Sequence, residues 1–135
     1  MHIKSHEEKI ARSANEVYAF LEDFRNFGHL LPSQVQNYQA GYDQCSFEIS
    51  GMGTIALEMN ERIPASSIKA VAIKPTAIDF HLIVNIYSET SESSSVVVEL
   101  DAKLSMMLEM IAATPLSNFI NMLAAKLKEI MESSQ

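Results

Sequence analysis

The clearest pattern in the chain is a change of hydrophobic period. From about residue 35 to residue 104, apolar side chains recur at every second position. Cys45, Phe47 and Ile49 alternate with Ser46, Glu48 and Ser50, and Ile55, Leu57 and Met59 with Ala56, Glu58 and Asn60. Further on, Ile78, Phe80, Leu82, Val84 and Ile86 alternate with Asp79, His81, Ile83, Asn85 and Tyr87. Val96, Val98, Leu100 and Ala102 alternate with Val97, Glu99, Asp101 and Lys103. A period of two sends successive side chains to opposite faces, so these runs predict strands with an apolar inner face and a wet outer one. Ile68 to Ile73 predicts another strand. The breaks at Gly51-Met52-Gly53, Pro64-Ala65-Ser66, Lys74-Pro75-Thr76 and the serine-rich run Ser88 to Ser95 read as turns. Short polar connections predict antiparallel pairing of neighbours.

Both ends of this region carry the helical period instead. Residues 2–12 predict a first strand with Ile3 and Ile10 as its apolar points. Ser13-Ala14-Asn15-Glu16 is a capping box, Ser at the N-cap and Glu three residues on. Val17, Phe20, Leu21 and Phe24 then share one helical face, while Tyr18 points elsewhere. A second short helix is expected from Asn26, carrying Phe27, Leu30 and Leu31 and ended by Pro32. Near the C-terminus, Ser105 to Ala113 predicts a short helical turn. Pro115 then fits the first turn of a main helix, where its missing N–H costs nothing. Leu116, Phe119, Ile120, Leu123, Leu127, Ile130 and Met131 fall within a sector of roughly 120°. Asn118, Asn121, Lys128, Glu129 and Glu132 lie opposite. At 1.5 Å per residue, residues 115–132 span roughly 27 Å. A half-wet sheet needs cover on its inner face, and only this helix is long and apolar enough to give it. The expectation is an α+β helix-grip fold. It has a curved antiparallel sheet of six to seven strands around a long C-terminal helix, with two short helices after the first strand, in one domain over residues 1–135.

Charge narrows the partners. The 135 residues carry a net charge of −7 and their ten basic residues are scattered, which disfavours nucleic acid and anionic membranes. The chain has one Cys, so an intrachain disulfide is excluded. Cys45 sits in a strand pattern and reads as a buried, inert thiol. The first residues lack the apolar stretch of a signal peptide, and no run of 18 apolar residues exists to span a bilayer. A cytoplasmic location and no stable membrane insertion are expected.

Several pieces together resemble a known superfamily. The segment Val17-Tyr18-Ala19-Phe20-Leu21-Glu22-Asp23-Phe24-Arg25-Asn26-Phe27 followed by Pro32, the strand meander and the terminal helix resemble the START-like or SRPBCC superfamily, in particular its compact single-domain bacterial members. Gly51-x-Gly53 adds weaker support. The superfamily includes birch-pollen-allergen-like carriers, aromatase/cyclases and lipid-transfer domains. The resemblance implies a cavity for a hydrophobic or amphipathic ligand between sheet and helix. It implies no universal catalytic motif. Rieske-type Cys/His pairs and the glycine-rich loop of the plant allergens are both missing from the sequence, so no cofactor is expected.

The chemistry-bearing residues give little more. His2 and His6 lie about 13 Å apart along a strand, too far to share one metal ion, so no metal site is expected. His81 falls on the outer register beside Asp79 and reads as a surface imidazole. His29, on the second short helix, is the better candidate for a polar contact at the cavity mouth. Glu58, Asp79, Glu99 and Asp101 take outward positions, unsuited to paired acid/base work. No G-x-S-x-G appears, and no catalytic residue is assigned. Met59, Met106, Met107, Met110 and Met122 are expected inside, either filling a packed core or lining an adaptable cavity.

The expected cavity wall is Phe27, Leu31, Phe47, Ile49, Leu57, Met59, Phe80, Leu82, Val84, Met110, Phe119, Met122 and Leu123. The first functional expectation is binding or transport of a small hydrophobic or lipid-like molecule, held mainly by apolar burial at roughly 25 cal/mol per Å² before the costs of association. A cyclase- or dehydratase-type enzyme needs polar groups inside, and the inward rows are almost wholly apolar. A protein-interaction module of the chaperone-activator kind is the third expectation, and either a monomer or a homodimer is compatible with the chain.

Overall fold

In the computed structural model, residues 1–33, 35–49, 53–75 and 78–133 are described. Eight antiparallel strands form one sheet: β1 (His2–Lys4), β2 (Glu8–Ile10), β3 (Val35–Ala40), β4 (Gln44–Ile49), β5 (Gly53–Ile63), β6 (Ser67–Ala72), β7 (Asp79–Thr90) and β8 (Ser93–Lys103). The order across the sheet is β1-β8-β7-β6-β5-β4-β3, and β2 also pairs with β8. Two short helices, α1 (Ala14–Leu21) and α2 (Phe24–Phe27), and a 3-10 turn (Gly28–Leu30) follow β2, and α3 (Met106–Ser133) closes the chain. This is the helix-grip arrangement. The period-two rows fall as expected: Phe47, Ile55, Leu57, Ile68, Leu82, Val84, Val96, Val98 and Leu100 are all buried.

The expected first strand is two strands with a bulge between them. Ile3 pairs with Leu100, whereas Ile10 pairs with Ser94, so the register changes by one residue on the way. Three residues, 5–7, face two on β8. Ser5 makes the joint: its N–H donates to the Val98 carbonyl at 2.7 Å, and its hydroxyl accepts from the Val98 N–H at 2.9 Å. Ile3 and Ile10 are seven positions apart and would fall on opposite faces of a regular strand. The extra residue puts both on the inner face.

The helix signals are met in part. Ser13 accepts from the Glu16 N–H at 3.1 Å and Glu16 answers from the Ser13 N–H at 3.2 Å. Val17 and Leu21 are buried under α1. The second helix starts earlier than expected, because Asp23 caps it by accepting from the Arg25 N–H at 2.9 Å. Arg62 on β5 locks the α1–α2 corner in place. Its guanidinium donates to the Glu22 carbonyl from Nε at 2.9 Å and Nη2 at 2.7 Å, and to Asp43 at 2.6 Å, and lies 4.1 Å from the centre of the Tyr42 ring. A cation on the last carbonyls of a helix also meets the negative end of its dipole.

The C-terminal helix differs most from expectation. It is one helix of 28 residues, with Pro115 inside it rather than at its start. Ser105 supplies the start that Pro115 was expected to give: its hydroxyl accepts from the Leu108 N–H at 3.3 Å. Pro115 forfeits one helical hydrogen bond, to the carbonyl of Ile111, a residue that is 67% exposed. The polar side of α3 is also less idle than the wheel suggests. Asn121 accepts from the His6 N–H at 2.8 Å, Glu132 accepts from the Ala11 N–H at 3.0 Å, and Lys128 donates to the Lys9 carbonyl. This stripe covers backbone groups along the β1–β2 edge of the sheet.

The serine-rich run is not wholly a solvated turn. Only residues 91–92 turn, and Ser94 and Ser95 are 0% and 1% exposed. Both hydroxyls are satisfied, Ser94 donating to the Arg12 carbonyl at 2.9 Å and Ser95 to Glu89 at 3.0 Å. Of the other expected turns, Gly51, Met52 and Thr76 lie outside the described residues.

Candidate ligand-binding cavity

The inner face of the sheet is not covered evenly. The second half of α3 buries Ile120, Leu123, Ala124, Leu127 and Met131 against it. Beneath the middle of α3, residues 115–122, lies a cavity of about 320 Å³. Its floor is the far end of the inner rows: Val35 on β3, Phe47 and Ile49 on β4, Ile55 on β5, Phe80 on β7, and Leu100 and Ala102 on β8. Ile78 and Pro32 close the sides, and Pro115, Leu116, Asn118, Phe119 and Met122 form the roof. Among the described lining residues the one polar side chain is Asn118, which is exposed at the rim.

The wall is braced from behind. Phe47 stacks on Tyr38, with ring centres 6.2 Å apart and planes 23° from parallel. Tyr38 donates its hydroxyl to the Phe24 carbonyl. Gly28 makes the fit possible, because a Cβ there would meet the Tyr38 ring at 2.7 Å. Cys45, two residues from Phe47 on the same face, is 4% exposed, and burial pushes its thiol up to about 11. Burial likewise holds the Tyr38 phenol above its ordinary value. Burial thus keeps both groups protonated beyond the pH at which they would ordinarily ionise.

Of the expected wall, Phe47, Ile49, Phe80, Phe119 and Met122 line the cavity. Phe27, Leu57, Leu82, Val84 and Leu123 are buried in the packed core beyond it. Leu31 and Met59 are half-buried against that core. Met110 belongs to neither place: it is 81% exposed, as Met106 and Met107 are 79% and 73% exposed. Their expected interior position fails because the helix starts at Ser105, so its first turns extend beyond the residues that the sheet buries. His29 is exposed on the 3-10 turn and is not among the described lining residues. His81 lies on the outer face in register with Asp101 and Val71. The His2 imidazole meets Glu99 at 2.8 Å on that same face. Among the described residues no three His, Cys, Asp or Glu side chains gather as a metal site, and no helix is long and apolar enough to cross a membrane.

Sequence reasoning missed Pro32, Val35, Ile55, Ile78, Leu100, Ala102, Pro115, Leu116 and Asn118 as lining residues. Parity places Ile55, Leu100 and Ala102 on the inner face. Which end of each inner row stays uncovered depends on where the helix crosses, and no local signal encodes that.

No protein-family model matches the sequence, and no curated protein matches it. Solved structures do match. A START superfamily protein from Mycobacterium smegmatis aligns over 99% of this chain and 99% of its own, with a TM-score of 0.72 at 14% identity. Norcoclaurine synthase from Thalictrum flavum, in complex with dopamine and hydroxybenzaldehyde, aligns over 100% of this chain and 88% of its own, with a TM-score of 0.77 at 12% identity. A conserved protein from Geobacillus kaustophilus aligns over 99% and 97%, with a TM-score of 0.76 at 10% identity. At these identities the likeness is one of fold, and the fold of this chain is the START-like (SRPBCC) helix-grip fold.

Proposed function

We propose that the protein binds a small hydrophobic molecule in the cavity between the middle of α3 and the sheet. The observation that carries this reading is the cavity of about 320 Å³ whose described walls are apolar except for Asn118. Its size is at the lower end of the roughly 300–1,000 Å³ of small-molecule sites. Dopamine and hydroxybenzaldehyde in the norcoclaurine synthase structure support the idea that this fold accommodates small ring compounds. Here the wall offers shape and apolar contact, with one amide at the rim to orient a single polar end. Holding a ligand is favoured over a cyclase or dehydratase reaction, because such chemistry needs converging polar or titratable groups. A cytoplasmic carrier or sensor acting as one domain fits the reading.

Native mass spectrometry of freshly purified protein, followed by titration with 2-naphthol, tests it. Ala102, buried in the cavity floor, is replaced by Phe to fill the space. Wild type is expected to bind one equivalent and Ala102→Phe to lose it, with the circular dichroism spectrum unchanged. Equal binding by both proteins sinks the reading.

A further inference from the structure

The cavity between α3 and the sheet has no charge on its wall. None of its described lining residues is ionisable. The residues outside the described stretches are Ser, Gly, Met, Thr, Ala and Gln only, so they add no ionisable side chain. The chain's Lys and Arg residues are committed elsewhere. Arg12, Arg25, Arg62, Lys74, Lys126 and Lys128 each meet a carboxylate. Lys4, Lys9, Lys69 and Lys103 stand next to Ile3, Ile10, Ala70 and Ala102, which pack into the core, so alternation turns these lysines to the outer face of the sheet. The four histidines also lie outside the described lining.

An anion in this cavity would therefore meet no counter-charge. Burying an unpaired carboxylate costs far more than burying a neutral amide or hydroxyl. Moving its head to the rim reduces that cost without removing it, because the whole chain carries −7 and its field opposes an anion there. Among the described residues every buried side-chain nitrogen or oxygen already has a hydrogen-bond partner, so the interior holds none in reserve for a ligand. Asn118, exposed at the rim, can both donate and accept through its amide, which is enough for one neutral polar group. Size completes the description. The cavity of about 320 Å³ has the room of roughly ten water molecules at about 30 Å³ each, which a fused pair of rings fills. Phe47, Phe80 and Phe119 supply aromatic rings in the wall to pack on them.

We propose that the cavity selects uncharged ring compounds carrying one hydrogen-bonding group, such as a phenol, a ketone or a carboxamide, and rejects the carboxylate of the same shape. This rests on the reading that the cavity binds a small hydrophobic molecule. It adds the charge of that molecule and the residue, Asn118, that meets its polar end.

Isothermal titration calorimetry of the full chain at about pH 7, with 2-naphthamide and 2-naphthoate, tests it, because the two ligands have nearly the same shape and differ in charge. Wild type is expected to bind 2-naphthamide at least about tenfold more tightly than 2-naphthoate. Asn118→Lys places a cation at the rim and is expected to narrow that ratio, with the gain for 2-naphthoate fading as salt is raised. Equal affinity for both ligands, lost together in Ala102→Phe, leaves the cavity reading standing and overturns the selectivity. A ratio that Asn118→Lys leaves unchanged means that charge does not set it, and overturns the proposal too. If wild type binds neither 2-naphthamide nor 2-naphthol, the cavity reading itself fails and the selectivity goes with it.

Discussion

The two halves of α3 share one helix and meet opposite surroundings. From Ile120 to Met131 five of its residues are buried and close-packed on the sheet. Residues 106–119 are all described, and none of them is buried. Residues 115–122 roof a cavity, and before them Met106, Met107, Leu108, Met110 and Ile111 are exposed. A continuous helix can therefore do two jobs: the stretch from Ile120 secures the fold, and the stretch before it, with only Leu116 and Phe119 among its large side chains packed on the core, can face a ligand.

The largest test of this division is truncation of a gripped side chain. Leu127→Ala is expected to cost about 2–5 kcal/mol in urea denaturation, because a close-packed site cannot collapse onto the space left. Phe119→Ala, in the cavity roof, is expected to cost less, about 1–2 kcal/mol, since much of the space beside it is already empty. A Phe119 loss as large as that of Leu127 would erase the distinction between the halves.

Alkaline titration probes how dry the braced wall is. The Cys45 thiol has a folded-state value raised to about 11. The unfolded chain thus releases this proton first. The thiol's contribution to stability is complete below its ordinary value of ~8.5, and it is lost as pH rises through the folded value. The slope due to this group is at most about 1.4 kcal/mol per pH unit between those limits. Denaturation curves of wild type and Cys45→Ala from pH 8 to 11 are expected to converge. Parallel curves would mean that water reaches the thiol through the wall.

A smaller effect is expected at Pro115. Replacing it by Ala restores a helical N–H in the middle of α3 and is expected to raise stability by about 1 kcal/mol, part of the ~3 kcal/mol that separates the two residues inside a helix. If the main helix began at Pro115, the same change would give no gain. Smallest of all is Met110→Ala, expected to shift stability by no more than about 0.5 kcal/mol, as for an exposed site without partners.

The residues that sequence reasoning read well are those whose partners are near in the chain or fixed by parity. The Ser13–Glu16 capping box lies within four residues, and the inner rows of β4 to β8 follow from alternation alone. The residues it misread or passed over have distant partners. Ser94 is buried because its hydroxyl reaches Arg12, 82 positions away. Arg62 finds Glu22 from 40 positions away. The Asn121, Lys128 and Glu132 stripe looks like an ordinary wet face until β1 and β2 lie against it. The same limit applies to the cavity. Alternation identifies the inward-facing residues, while the stretch left uncovered depends on the start of α3 at Ser105, which Pro115 conceals.

That polar stripe on α3 also bears on how the protein avoids aggregation. A sheet with open edges is a template for runaway association with other chains. At one edge Asn121, Lys128 and Glu132 occupy backbone groups that a foreign strand would use. At the other edge, β3 breaks its own regularity, with a register shift between Gln36 and Gln39 and a left-handed Asn37 at φ 55°. The chain thus guards one flank with a helix and the other with a kink. Truncation after Ile120 would bare the first flank, so the end of α3 serves colloidal safety as well as folding.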